Sequence, residues 1–270
     1  MFKNFVPILF AIILVSLLAC QSVSDDTLKP VIETNGAEPE TTTLVIKRLS
    51  DNKVWISNVQ RASNRYIPAS TSKIPHTLIA LETKQAEPET LFKWDGRERW
   101  VTSWNQNQTL TQAYKRSAAW VYQVITRRLG PDMMTLWLSR FEYGNYDIGS
   151  TNNVTKYWLE GPLEISALEQ VDFLTKLSLQ ELPLSLSTYQ KSRTIFKEQS
   201  NGYHTLYAKT GWVHDGKTTD IGWFVGWVET QDISETYVFA LNMDMPNKGD
   251  QNKRRPIVMD GLKSIGAWPR

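Results

Sequence analysis

Strand-patterned segments stand at both ends of this chain and helix-patterned segments lie between them, and that order limits the fold more than any other feature. From Thr42 the run Thr-Leu-Val-Ile-Lys, the turn residues Ser50-Asp51-Asn52-Lys53 and the run Val-Trp-Ile-Ser predict two strands joined by a tight turn. Near the other end, Tyr203 to Lys209, Ile221 to Glu229 and Tyr237 to Met243 are rich in β-branched and aromatic residues with turn signals between them, and predict three antiparallel strands. From Lys73 to Arg140 the apolar spacing is mostly helical, as in Leu78-Ile79-Leu81 and Val121-Val124-Ile125-Leu129, with Gly130-Pro131 stopping the second helix. An irregular segment from Tyr143 to Gly161, long enough to suggest function, precedes another helical stretch at Ser166 to Leu179. Lys253 to Trp268 predicts an amphipathic helix with Pro256 in its first turn. The expected class is α+β: one antiparallel sheet built from the N- and C-terminal segments, flanked by helices, with a large, mostly helical insert facing its edge.

A chain of 270 residues with 41% hydrophobic content and eleven tryptophans can bury a substantial core. Its formal charge of +2, with no long basic or acidic run, gives no reason to expect nucleic acid or an anionic membrane surface as a partner. Met1-Phe2-Lys3-Asn4 followed by a nearly unbroken apolar run from Phe5 to Ala19 suits a secretory signal rather than a membrane span. The run ends Leu17-Leu18-Ala19-Cys20, which resembles the lipobox of bacterial lipoproteins, and Cys20 is the single cysteine, so it has no disulfide partner within the chain. Residues 1–19 are therefore expected to be a lipoprotein-type signal peptide and residues 20–41, polar with little periodicity, a flexible tether, leaving 42–270 as the folded domain. The expected location is the periplasm, either with a lipid anchor through Cys20 at the outer membrane of a Gram-negative bacterium or after simple cleavage by a signal peptidase.

Ser70-Thr71-Ser72-Lys73 places a hydroxyl and an amine three residues apart, close enough on an α or 3₁₀ turn for the amine to take the serine's proton. The S-x-x-K pattern alone is weak, since about one is expected by chance in such a chain, and Ser50 to Lys53 is a second copy. Context separates them. Ser50 lies in a hairpin turn, whereas Ser70 follows Pro68-Ala69 and opens a helix whose N–H groups favour developing negative charge, although a plain N-cap would look the same. Pro75 lacks an N–H, which places the start of regular helix nearer Lys73 and Ser70 on a preceding tight turn. Lys209-Thr210-Gly211 ends a strand-patterned run, and its glycine lets a ligand approach the backbone.

Taken in order, Ser70-Thr-Ser-Lys73, Ser117-Ala-Ala119, Tyr143-Gly-Asn145, Trp158-Leu159-Glu-Gly161, Lys209-Thr-Gly211 and Arg254 closely resemble the sequential motifs of class D (oxacillinase-type) serine β-lactamases, within the penicillin-binding and transpeptidase superfamily. The flanks Arg65-Tyr-Ile-Pro-Ala-Ser, Ile221-Gly-Trp-Phe-Val-Gly-Trp-Val-Glu and Asn242-Met-Asp-Met are similar too, and the resemblance runs from about Thr43 to the C-terminus. It implies hydrolysis of β-lactam antibiotics through an acyl-enzyme on Ser70. Lys73, carboxylated by CO₂ to N6-carboxylysine, would be the general base. Carboxylation needs a neutral amine, so the pocket must lower the lysine's pKa by about 3, which costs roughly 4 kcal/mol. Trp158 would line that pocket and hold the carbamate oxygen through its indole N–H. By the same resemblance Ser117 relays a proton to the lactam nitrogen, Lys209 supplies positive potential, and Thr210 and Arg254 grip the substrate carboxylate. The backbone N–H groups of Ser70 and Trp212 form the oxyanion hole, while Tyr143, Asn145 and Leu159 are supporting residues. Arg255 stands beside Arg254 and competes for its role.

Two positions depart from the family pattern: Ser72 stands where Phe or Tyr is usual, and Ala119 where Val is usual. Both changes predict a roomier or more polar lysine pocket and turnover that is weaker or more dependent on bicarbonate. No metal or organic cofactor is expected, because His76, His204 and His214 have no ligand spacing to one another or to a second cysteine. Glu160 and Glu164 read as solvated surface charges. The alternative is a penicillin-binding or β-lactam-sensing protein that acylates without turning over, and the oligomeric state is expected to be monomer or homodimer.

Overall fold

A computed structural model describes residues 27–214, 216, 219–230 and 235–269. The expected signal peptide and Cys20 lie outside the described residues. The hairpin is present as β1 (Thr42–Arg48) and β2 (Val54–Ile56), followed by α2 (Val59–Ser63) after a first short helix, α1 (Lys29–Thr34). A 3₁₀ turn at Ala69–Ser72 leads into α3 (Lys73–Glu82). Two short strands, β3 (Leu91–Phe92) and β4 (Gln108–Thr109), pair with each other ahead of α4 (Leu110–Lys115) and α5 (Ala119–Arg140). Then come α6 (Ala167–Ser178), α7 (Leu186–Phe196), β5 (Lys197–Ser200), β6 (His204–Val213), β7 (Asp220–Thr230), β8 (Thr236–Met245) and α8 (Arg254–Ser264).

Six strands form one sheet in the order β2-β1-β8-β7-β6-β5, every neighbouring pair antiparallel. The two ends of the chain meet along β1 and β8, where Thr42 to Arg48 pair in register with Met243 to Tyr237. Side chains alternate across the pleat. Val45, Val225, Val238 and Ala240 face the helical insert, whereas Leu44, Ile46, Phe224 and Leu241 pack under α1 and α8. Both faces are therefore covered, which explains why β7 and β8 read as continuous apolar runs instead of alternating ones. The class is α+β.

The segment read as a tether up to Thr41 is folded from Leu28 onward. Leu28 and Ile32, one helical turn apart, are buried in the α8-side core, and Asn35 Nδ2 donates to Asp260 Oδ2 at 3.2 Å. The insert is less helical than its apolar spacing predicts, because residues 83–109 carry only loops, a 3₁₀ turn and the small β3–β4 pair. Gly130 does break α5, with φ 77° and ψ 168°, but Pro131 then starts a further run of helix to Arg140. The helix α7 and edge strand β5 had no clear signal. Lys209-Thr-Gly211 is not at a strand end: β6 runs on to Val213.

Candidate active site

Ser70 sits half-buried in the 3₁₀ turn that precedes α3, as Pro75 indicated. The turn is braced from inside and outside. Thr71 N and Oγ1 both donate to Pro68 O, at 3.1 and 2.8 Å, and Ala69 adopts a left-handed φ of 47°. Trp223 Nε1 from β7 donates to Ile67 O at 2.9 Å. Below, Gln170 Nε2 of α6 donates to Thr71 Oγ1 at 3.0 Å and to the Tyr143 hydroxyl at 3.2 Å. Tyr143 thus supports the Ser70 turn from the loop. Asn145 supports the same loop by donating to Pro162 O and accepting from Glu164 N.

One turn on, Lys73 is fully buried, and its Nζ lies 2.9 Å from Ser70 Oγ. Burial, with the Lys209 ammonium as a smaller contribution, pushes the amine well below the ordinary lysine value. A neutral amine at this distance can accept the serine proton. Around it stand aromatic rings in series: Lys73 Nζ is 5.3 Å from the Tyr122 ring, Tyr122 meets His76, and His76 meets Trp158. Trp158 is completely buried and its Nε1 has no hydrogen-bond partner. A donor left without an acceptor in so apolar a place fits a pocket built to receive an anionic group such as a lysine carbamate. The Ser72 hydroxyl adds no free polar group, because it donates at 2.7 Å to Ala69 O in its own turn.

On the other side of Ser70, Lys209 Nζ donates to Ser117 Oγ at 2.5 Å. Ser117 is not on regular helix but in the bend between α4 and α5, with a left-handed φ of 55°. Burial is the main cause that pushes Lys209 down to about 7. Arg254, the first residue of α8, crosses to β6, where its Nη1 donates to Gly211 O at 2.6 Å. Arg255 instead points to Glu198 and Gln199, whereas Arg254 lines the cleft. Ser70, Ser117, Ala119, Leu159, Thr210, Gly211, Trp212 and Arg254 line one cleft of about 740 Å³. A larger cavity of about 870 Å³ adjoins it beyond Trp212 but is lined by neither Ser70 nor Ser117.

Glu160 and Glu164 are exposed, and Glu160 pairs with Lys156. Among the described residues no group of three or more His, Cys, Asp or Glu is placed to hold a metal. Three contributors had no signal in the sequence: Gln170 beneath the turn, His76 as an aromatic neighbour of Trp158, and Trp100, which is 79% exposed and meets Trp212 edge-on at the cleft mouth.

Residues 38–263 match the family described as Transpeptidase, Penicillin binding protein transpeptidase domain. The chain is 40% identical over 225 residues to the β-lactamase OXA-2 of Salmonella typhimurium, covering 83% of this chain and 78% of that one. It is 36% identical to the β-lactamase OXA-20 of Pseudomonas aeruginosa over 100% of this chain and 99% of that one. Among solved structures, the class D β-lactamase FUS-1 (OXA-85) of Fusobacterium nucleatum subsp. polymorphum superimposes with a TM-score of 0.85 at 36% identity, covering 91% of this chain and 99% of that one. Fold, site and relatives agree: the protein has the penicillin-binding transpeptidase fold, and the chain belongs to the class D β-lactamases within it.

Proposed function

We propose that the protein hydrolyses β-lactam antibiotics by way of an acyl-enzyme on Ser70. The observation that carries this reading is the 2.9 Å contact between Ser70 Oγ and the buried, deprotonation-prone amine of Lys73. Lys73 takes the hydroxyl proton as Ser70 Oγ bonds to the lactam carbonyl carbon, and the N–H groups of Ser70 and Trp212 receive the oxyanion. As the C–N bond breaks, Ser117, held by Lys209, passes a proton to the leaving ring nitrogen. Arg254 and Thr210, placed on the cleft wall, grip the substrate carboxylate. Water then cleaves the ester and restores Ser70. A CO₂-derived carbamate on Lys73 supplies the general base for both halves, and the unpaired Nε1 of Trp158 is the donor available to hold it.

Turnover of a chromogenic cephalosporin by residues 21–270, with and without bicarbonate and beside Ser70→Ala, tests the reading. Steady hydrolysis that bicarbonate raises and Ser70→Ala abolishes is expected. A stoichiometric burst followed by silence would overturn hydrolysis in favour of a penicillin-binding or sensing role. We also propose export to the periplasm with a lipid anchor on Cys20, supported by Leu17-Leu18-Ala19-Cys20. Labelled palmitate should enter the wild-type chain in cells and not Cys20→Ala, and equal labelling of the two would overturn that.

A further inference from the structure

His76 lies three residues beyond Lys73 on α3, the spacing that puts side chains on one helix face. It is fully buried, and its Nε2 is 2.7 Å from the Tyr157 hydroxyl. The imidazole also meets the edge of Trp158, with ring centroids 4.7 Å apart and planes at 79°, while Tyr157 packs edge-on against Trp158 at 4.9 Å. His76 therefore holds the indole twice, once directly and once through Tyr157. Burial, with Lys73 as a lesser cause, pushes the imidazole down to about 3, so it is neutral wherever the enzyme works.

Plain packing does not account for a histidine here. A phenyl ring would fill the same space without leaving a buried nitrogen unpaired, and His76 Nδ1 has no partner. What imidazole adds over phenyl is the bond to Tyr157. We propose that His76 is a positioning residue for the carboxylation of Lys73: its bond to Tyr157 and its contact with Trp158 fix the indole whose N–H holds the carbamate. This rests on the reading of Lys73 given above. The residue does not touch the reacting atoms and acts through its two neighbours.

The test is the ¹³C NMR signal of the lysine carbamate, followed against ¹³C-bicarbonate concentration, with Lys73→Ala identifying the signal. His76→Phe keeps the ring and loses the bond, and is expected to need about tenfold more bicarbonate for half-saturation, the equivalent of about 1.4 kcal/mol. Tyr157→Phe, which removes one hydroxyl, should shift the curve the same way and carries the test if His76→Phe does not fold. His76→Gln places an amide near the Nε2 position and should return the curve towards wild type. Saturation of both Phe variants at the wild-type concentration would overturn the inference, as would a Gln variant as impaired as the Phe one. A wild-type protein with no carbamate signal at saturating bicarbonate would sink the reading of Lys73 itself, whereas a wild-type signal indifferent to residue 76 sinks only this step.

Discussion

Gly211 is where β6 touches the 3₁₀ turn that carries Ser70, and replacing it with alanine should separate the two. Its φ is not in the left-handed region, so the whole effect comes from contact. A Cβ there would lie 2.9 Å from Pro68 O, 3.1 Å from Thr71 Cγ2 and 3.1 Å from Trp223 Cβ. The first of these is backbone, and it already accepts two hydrogen bonds from Thr71, so it cannot turn aside as a flexible side chain would. Relief to ordinary contact at 3.4 Å needs β6 and the turn to part by about half an ångström. Overpacking of this kind costs about 1–3 kcal/mol, which in a domain of this size lowers the melting temperature by about 2–12 °C. Under the proposed function the displaced groups, Thr210 and the Trp212 N–H, act together with Ser70 on one lactam ring, so kcat/KM should fall about 10- to 100-fold in the protein that remains folded. Calorimetry and steady-state kinetics on Gly211→Ala read both quantities. A variant that melts and turns over like wild type would refute the claim that β6 and the Ser70 turn are in hard contact.

Arg254→Ala should weaken kcat/KM about 10- to 100-fold, as expected for losing a charged hydrogen-bond donor to the substrate, whereas Arg255→Ala, whose partners are Glu198 and Gln199, should change it less than about twofold. Steady-state kinetics on the pair would decide between the two arginines. Lys209, pushed down to about 7, holds its proton less tightly folded than unfolded, so between about pH 7 and 9.5 the unfolded chain carries the extra proton and stability rises with pH. Urea midpoints across that range should climb in the wild type and climb less in Lys209→Met. Ser166 caps α6 in a reciprocal pair with Glu169, so Ser166→Ala should cost about 1 kcal/mol and lower the melting temperature by about 2–4 °C with little change in kcat. A calorimetric scan checks it.

What the sequence made legible follows the range over which each signal acts. The hairpin, the three late strands and α8 are local patterns, and all appear close to their expected places. The site residues are identified through the resemblance of the ordered motifs, while local spacing by itself anticipates only that Ser70 and Lys73 lie side by side, as they do at 2.9 Å. Other features depend on partners distant in sequence. Leu28 and Ile32 look like scattered apolar residues in a polar stretch until α8, more than two hundred residues on, supplies a surface for them. Gln170 has the look of a routine helix residue, and only the fold brings its amide to Thr71 and Tyr143. β5 is exposed along its whole length, so it lacks the buried-face alternation from which a strand is read.

The two departures from the family pattern come apart once their surroundings are known. Ser72 uses its only hydrogen-bond donor within its own turn, on Ala69 O, so it does not donate into the lysine pocket. Ala119 is different, because it lines the open cleft that Ser70 also lines. The lysine itself is fully buried, with its amine 2.9 Å from Ser70 Oγ and 5.3 Å from the Tyr122 ring. If bicarbonate dependence is unusual in this enzyme, position 119 is the place to restore the family's residue first, and Ser72→Phe should do far less.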